Sequence, residues 1–453
     1  MQKDFAPISH QKVAQAVAAF AGYSDEIEAL ISDLARGGRR IGDNEISSVL
    51  NGQTTLALQR LVPKNLRRES GIFFTSVELA GKVADHLALV PGKGVKIVDP
   101  ACGAGNLLLA CAKHLPVGDN LQDTLIIWSD CIYGYDLHYE FVRAARLRLM
   151  LLAASMHNDR DNCLARLQSN QFFSGLKVGN VFRHLPMSEK SCVVVNPPFG
   201  HMQAPEDCRW ATGRIQTAGW FLERILQAAP AGQHVVAILP DVLRSGTRYG
   251  KWRDFVSTVC VSLAVELSGQ FDESTDVDVF ILHAVTGDGS SIRPEWPTLS
   301  SPIGNGQHVV SDFFDVHVGP VVPHRDPLCG PSYPYIHART APAWQILDHI
   351  VEERSYAGTV YSPPFVVVHR TSSPREKHRC VATIVNEKRD IAVENHLLVL
   401  LPRDKSLESC EQLLQVLKLT QSSEWLNSRI RCRHLTVSSM CELPCCDIAH
   451  GSK

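Results

Sequence analysis

A chain of 453 residues, 45% hydrophobic and 20% charged, can bury a large core and is long enough for two or three domains. A formal net charge of -2 excludes a uniformly basic nucleic-acid coat protein but leaves room for a local basic surface. MQKDFAPISHQ lacks the apolar core of a signal peptide, no run reaches the roughly 18 apolar residues of a membrane span, and 14 scattered cysteines read as reduced thiols of a cytoplasmic protein.

Residues 1–70 read as a helical N-terminal segment. Apolar residues recur at helical spacing over 11–34, with a break at Gly22. Asp25 and Glu28 have the pattern of a cap for the second half, and Gly37-Gly38 ends it. Lys64, Arg67 and Arg68 form a basic cluster, either a solvated helix end or a phosphate contact. Over 71–286, helices at 77–89 and 139–152 separate short apolar strands at 96–98, 132–135, 193–195, 235–239, 262–267 and 279–284. That alternation predicts an α/β domain, 71–290, with a parallel sheet and helices on both faces. The Gly-, Pro- and Ser-rich residues 291–335 read as a linker or irregular connection. A second, mixed domain follows at 336–453, with helices at 341–353, 410–419 and 424–429 and strands at 365–368 and 397–401.

Four motifs carry chemistry. Val193-Val194-Val195 is a strand buried on both faces, and Asn196-Pro197-Pro198-Phe199 must leave the sheet, because two prolines cannot continue a central strand. In an open parallel sheet, ligands bind where strands exit. Upstream, a strand ends in Asp99 and runs through Pro100, Ala101 and Cys102 into a Gly103-Ala104-Gly105 turn and a helix, a geometry that brings backbone N–H groups close to a ligand. No Gly-Lys-Ser/Thr follows, so this is not a P-loop; Cys102 reads as a small loop residue rather than a nucleophile. Asp136 ends the next strand, where a carboxylate can accept from two ribose hydroxyls or cap the following helix. Its distance from the turn exceeds the usual spacing of about 20 residues, and 125–131 reads as an insertion. Asn180 follows a glycine and can bond an adenine ring or simply close a turn.

DPACGAGN followed by NPPF resembles the S-adenosylmethionine-dependent DNA adenine-N6 methyltransferases, in particular the restriction–modification type in which the cofactor motif precedes the catalytic one. The likeness runs over 71–284, and GIFFTS, 71–76, resembles the family's leading segment over the methionine end of the cofactor, with Thr75-Ser76 where Thr-Pro is usual. The resemblance implies a Rossmann-like methyltransferase sheet and S-adenosyl-L-methionine contacts from Phe73, Thr75, Asp99, Pro100, Ala101, Gly103, Gly105, Asp136 and Asn180; the family often has Asp at the last position. It assigns catalysis to Asn196, Pro197, Pro198 and Phe199, needs no metal, and makes double-stranded DNA the partner, with a specificity or restriction subunit left open. In this reading the Asn196 side-chain oxygen and the Pro197 carbonyl accept from the adenine amine, localising its lone pair, while Phe199 offers a stacking face to a flipped base. RNA and protein-glutamine methyltransferases with similar tetrapeptides are alternatives, as is a catalytically silent nucleic-acid-binding subunit, against which the intact tetrapeptide argues.

Outside that likeness, Arg244, Arg248, Lys251 and Arg253 read equally as DNA-backbone contacts or a solvated loop. His369, Arg370, Arg375, Lys377, His378 and Arg379, with Lys388 and Arg389, form a candidate target-recognition surface or else a basic surface hairpin. Cys432, His434, Cys441, Cys445 and Cys446 match no standard zinc spacing.

Overall fold

The computed structural model describes residues 17–18, 20–35, 46, 49–50, 53–63, 67, 72–89, 95–157, 172–183, 191–272, 275–289, 296, 308–373, 376–430 and 434–445. By internal contacts the chain divides into two units, one of residues 1–243 and 249–296, the other of 244–248 and 297–453.

In chain order the first unit contains α1 (Ala21–Ala35), α2 (Gln53–Leu61), α3 (Val77–Asp85), β1 (Lys96–Asp99), α4 (Asn106–Ala112), α5 (Leu121–Cys131), β2 (Ile132–Asp136), α6 (Tyr139–Ser155) and β3 (Leu176–Val178). It continues with β4 (Ser191–Val195), a small hairpin of β5 (His201–Gln203) and β6 (Arg214–Gln216), α7 (Thr217–Ala228), β7 (His234–Pro240), α8 (Gly250–Thr258), β8 (Cys260–Asp272) and β9 (Thr275–Thr286). Seven strands form one sheet in the order β3-β2-β1-β4-β7-β9-β8. The first five run parallel. Every residue of β4 is buried, as a strand with neighbours on both sides and covered faces requires. The last two expected strands depart from the parallel pattern. β8 and β9 are longer than expected and pair antiparallel as a ribbon. The short 273–274 link between them has no room for the crossover of a dozen or more residues that a parallel pair needs.

Residues 125–131 complete α5, the second of two helices in the β1-to-β2 crossover, and this added length is why Asp136 lies so far from the turn. One local expectation is corrected. Asp25 and Glu28 do not cap a helix. They lie inside α1, which begins at Ala21 so that Gly22 falls in its first turn, and both pair with Arg143 of α6, the Asp25 contact at 2.8 Å. Of the first basic cluster only Arg67 lies among the described residues; it is buried, with its Nε donating to the Val62 carbonyl at 3.0 Å.

In the second unit a single turn of helix (Val310–Phe313) precedes β10 (Phe314–Val318), β11 (Ser332–Ile336), β12 (Ile346–Leu347), β13 (Glu353–Ser355), β14 (Phe365–His369), β15 (Ala382–Val385), β16 (Ala392–Val393), β17 (Leu397–Pro402), α9 (Leu407–Lys418), α10 (Thr420–Arg429) and α11 (Val437–Cys441). Five strands pair as β10-β17-β14-β15-β12 and three as β13-β11-β16. Alternation decides the faces: Val366, Val368, Leu398 and Leu400 pack with Leu413 and Leu417 of α9, while Phe365, Val367, Leu397 and Val399 pack with Ile336 and Ile391. Part of the stretch expected to be irregular is thus ordered, since β10 and β11 belong to these sheets. The helix expected at 341–353 is absent. Its backbone serves the sheet edge instead: Trp344 N–H donates to the Ala382 carbonyl at 2.7 Å and Gln345 O accepts from Ile384 N–H at 2.9 Å. Pro342 and a Trp344 φ of 64° are also incompatible with a continuous helix.

Trp128 anchors α5. It is fully buried and its indole N–H donates to the Pro116 carbonyl at 3.0 Å. Trp128→Phe strands that carbonyl and leaves a void, and should lower the free energy of unfolding by about 1–3 kcal/mol, read as a lower denaturation midpoint at unchanged slope.

Candidate active site

The parallel strands β2, β1 and β4 lie side by side and end at one edge of the sheet. Asp99 is in register with Gly134, two residues before Asp136, and Val98 with Val193, three residues before Asn196. From β1 the chain steps out to β2 and β3, then returns to β4 on the other side of β1. That reversal leaves a crevice beyond the strand ends between β1 and β4.

At the β1 end the chain turns through two glycines held at φ of 51° and 83°. A Cβ on Gly105 would sit 2.9 Å from that of Ala145 on α6, and one on Gly103 would sit 3.0 Å from the Phe74 ring. The turn is pinned to β2, with Cys102 N–H donating to the Tyr135 carbonyl at 2.8 Å and Gly103 N–H to Asp136 Oδ2 at 3.2 Å. Asp136 Oδ1 accepts from His138 N–H at 2.8 Å. The cap position of α6 is His138, so Asp136 stands outside the helix and braces the turn as well as the helix entrance.

Asp99 is fully buried. Its Oδ1 accepts from Ala101 N–H at 3.0 Å, and no salt bridge reaches it among the described residues. Burial pushes its carboxyl up to about 8, opposed by the Ala101 bond and reinforced by Asp136. Asp136 is likewise raised by burial, against the pull of His138 and three backbone N–H groups. The same surroundings raise the buried Cys102 thiol well above its ordinary value, which disfavours a nucleophilic thiolate. Two carboxyls raised by burial, neither of them in a salt bridge among the described residues, thus stand at adjacent strand ends.

Asn196 stands at the β4 end. Its Nδ2 donates to the Phe73 carbonyl at 3.2 Å and to Thr75 Oγ1 at 3.1 Å, while its Oδ1 is buried without a hydrogen-bond partner. Residues 72–76 therefore strap across the strand end before Ser76 caps α3 through the Leu79 N–H at 3.2 Å. Their two aromatic rings part ways: Phe74 packs on Phe20 and Phe141 in the core, whereas Phe73 faces Phe199. Phe199 is not an open stacking face. It is only 6% exposed, with the Phe73 and Phe271 ring centroids at 6.4 and 5.1 Å. Pro197 is also buried, and Pro198 is partly exposed.

Asn180 lies beside the β2 end, since Gly179 N–H donates to the Asp136 carbonyl at 2.8 Å. It is exposed, and its Oδ1 already accepts from Phe182 N–H at 3.0 Å, so one lone pair of that oxygen is engaged in a turn. Phe182 packs against Phe221 at 4.8 Å, giving Phe221 a core neighbour. Phe271 and Phe182 were missed by sequence reasoning. Each is a lone aromatic beside polar residues, Phe271 between Gln270 and Asp272 and Phe182 before Arg183, and only the tertiary fold brings it here.

The basic stretches are less uniform than their composition. Arg379 is fully buried and donates to the Ser372 and Ile430 carbonyls, and Arg389 is paired with Glu353 at 2.9 Å and with Glu387. Arg244 is buried, and Arg253 donates to the Leu243 carbonyl at 3.0 Å. Lys251, Lys377 and Lys388 are exposed; Arg375, Cys432 and Cys446 lie outside the described residues. Among the described residues no three His, Cys, Asp or Glu side chains come together to hold a metal ion, and no helix is long and apolar enough to cross a membrane.

No curated protein sequence matches this chain. Among solved structures it is similar to the type IIL restriction-modification enzyme MmeI, in complex with DNA, at 12% identity and a TM-score of 0.53, covering 89% of this chain and 70% of that one. It also matches the type IIG restriction endonuclease BpuSI at 14% identity and a TM-score of 0.45, covering 96% and 70% of the two chains. A protein of Listeria monocytogenes assigned to the class I S-adenosylmethionine-dependent methyltransferases matches at 17% identity and a TM-score of 0.38, covering 62% and 91%. The family model for N-6 DNA methylases matches residues 58–285. That match spans half of the sequence and takes in all five parallel strands with the three strand ends described above, and it places the chain in the N-6 DNA methylase family, which methylates DNA with S-adenosylmethionine.

Proposed function

We propose that this DNA methyltransferase acts on the N6 amine of adenine, in a base flipped out of double-stranded DNA, with Asn196, Pro197 and Phe199 at the acceptor. One observation carries the reading: the Asn196 amide is tied down at its nitrogen while its oxygen is buried and unpaired. An acceptor left empty at a strand end suits a ligand that donates, as an exocyclic NH2 does.

The residues present fit the cofactor. The carboxyls of Asp99 and Asp136, hydrogen-bonded to backbone N–H groups but in no salt bridge among the described residues, suit a cationic amino-acid nucleoside with ribose hydroxyls, and the close Gly103 and Gly105 turn leaves its backbone N–H groups near. Phe73, Thr75, Pro100, Ala101 and Asn180 border the same strand ends and complete the set we assign to it. When bound, S-adenosylmethionine supplies a methyl group on an electron-poor sulfonium. The chain's own residues prepare the acceptor. Asn196 Oδ1 and the Pro197 carbonyl take the two amine hydrogens and draw its lone pair out of the ring. Positive charge grows on that nitrogen during attack, so both dipoles bind the transition state more tightly than the ground state. The proton leaves afterwards to water, and no strong base is needed beforehand. In a duplex the amine is stacked out of reach, hence the flipped base. We read residues 297–453 as the target-recognition part, with exposed Lys377 and Lys388 as backbone contacts.

Labelled cofactor offered with duplex DNA, RNA and protein should label DNA, at adenine; label on cytosine, on RNA or on protein instead would sink the reading. Asn196→Ala should lower kcat by roughly 10²–10³-fold or more while cofactor still binds, measured by single-turnover transfer and by calorimetry.

Asp99 yields a pH signature. Its folded carboxyl is raised to about 8, so below that pH it is protonated in the ligand-free protein and gives up the proton when a cation binds. Cofactor affinity should therefore strengthen as pH rises towards 8, by at most about tenfold per pH unit. The sign for stability is opposite: folding favours the protonated form, so this contribution is present at low pH and lost as pH rises from about 4 to 8. Asp99→Asn should flatten the affinity profile, weaken binding, and raise Tm of the ligand-free protein at pH 8.

A further inference from the structure

The orientation of Asn196 depends on the 72–76 strap, and the strap in turn is held by a polar chain, buried at Thr75 and Arg148 and half-buried at Asn106, that leads back into the core. Thr75 is 3% exposed; its backbone carbonyl accepts from Asn106 Nδ2 at 2.6 Å. Asn106 Oδ1 accepts from Arg148 Nη1 at 2.7 Å. Arg148, on α6, is 1% exposed, and it also donates to the Ala104 carbonyl at 2.5 Å and to the Leu50 carbonyl at 3.2 Å. Among the described residues no carboxylate forms a salt bridge with it, so its charge is spent on oxygen acceptors that include Asn106.

The links at Asn106 and at the Phe73 carbonyl have a fixed sense. A guanidinium only donates, so the oxygen of Asn106 must face Arg148. Its nitrogen must then face the strap, where it meets a carbonyl, which only accepts. Phe73 and Thr75, held at that spacing, present a carbonyl and a hydroxyl to Asn196, whose nitrogen turns towards them and whose oxygen is left for substrate. Reversal of Asn106 sets donor against donor and carbonyl against carbonyl, and reversal of Asn196 sets its oxygen against the Phe73 carbonyl, while the Thr75 hydroxyl can turn to suit either sense; each such mismatch costs on the order of 1–3 kcal/mol for a buried group.

We propose that Arg148 and Asn106 are positioning residues for methyl transfer: through Thr75 they hold the strap so that the Asn196 amide oxygen faces the acceptor amine. The inference rests on the role proposed for Asn196, and its test keeps the two apart. Asn106→Asp is the informative substitution. The carboxylate keeps the shape and still accepts from Arg148, but cannot donate to the Thr75 carbonyl. Tm should fall by no more than a mismatch of about 1–3 kcal/mol allows, and the folded protein should bind cofactor about as tightly as the parent chain, while kcat falls roughly 10- to 100-fold with KM for DNA little changed, as displacement of a reacting group by about 1 Å produces. In full-length protein labelled with 15N-asparagine, the Asn196 side-chain amide pair, identified by its loss in Asn196→Ala, should shift in Asn106→Asp and exchange faster with water. Combining Asn106→Asp with Thr75→Val should cost no more than the worse single change, because both act through one strap.

Unchanged kcat and unmoved Asn196 resonances in Asn106→Asp overturn the inference. So does a fall in kcat matched by an equal loss of folded, cofactor-binding protein, which marks a purely structural role. A parent chain that transfers no methyl group to DNA defeats the proposed function, and the resonance arm still decides whether Asn106 orients Asn196.

Discussion

A carboxamide has a donor end and an acceptor end of nearly equal size, and the candidate site depends on which way Asn196 holds its own. The nitrogen has two acceptors, the Phe73 carbonyl and the Thr75 hydroxyl, and the oxygen has none. Leaving a buried oxygen unpaired is costly, so a fold that does so must over-determine the position from elsewhere. The means are visible: two prolines force the chain out of the sheet at that residue, β4 is buried along its whole length, and the strap crosses the exit.

The acidic half of the crevice obeys the same logic with opposite charge. Asp99 and Asp136 sit at the ends of paired strands, so their separation is set by sheet geometry rather than by loops. Burial is the largest cause raising both carboxyls, and among the described residues neither forms a salt bridge, although His138 pulls Asp136 the other way. Packing at Gly105 and Gly103 holds the turn close to α6 and to the Phe74 ring, so the acids are presented on a rigid floor. The empty amide acceptor and the unanswered carboxyls are distinct deficits at neighbouring strand ends, and donor groups of two different ligands would remedy them.

Much of this was legible in the sequence wherever the signal was local. The β1 strand, the glycine turn, Asp136 and the 193–199 strand exit follow from apolar runs and from backbone rules for glycine and proline. What was illegible depends on residues far apart in the chain. Nothing local in Asn106 or Arg148 says that they meet, or that Phe271 closes on Phe199. The 341–353 stretch has helical periodicity, but a sheet edge offered its backbone better partners. Arg379 reads as a surface cation because composition does not register that the nearby Ser372 carbonyl and the distant Ile430 carbonyl accept from it. Propensity and periodicity describe what a segment prefers alone, and tertiary hydrogen bonding decides when that preference loses.

Phe199 sits between two other rings, and that packing has a bearing on substrate selection. Under the proposed reading an incoming base must take the place of at least one aromatic neighbour, and such pairs are worth about 0.5–1.5 kcal/mol each beyond their buried area. A broad purine face recovers more of that loss than a single pyrimidine ring. Discrimination by surface area would then begin at the threshold, before any amine meets the waiting oxygen, and the aromatic cluster would act as a sieve for ring size ahead of the chemistry.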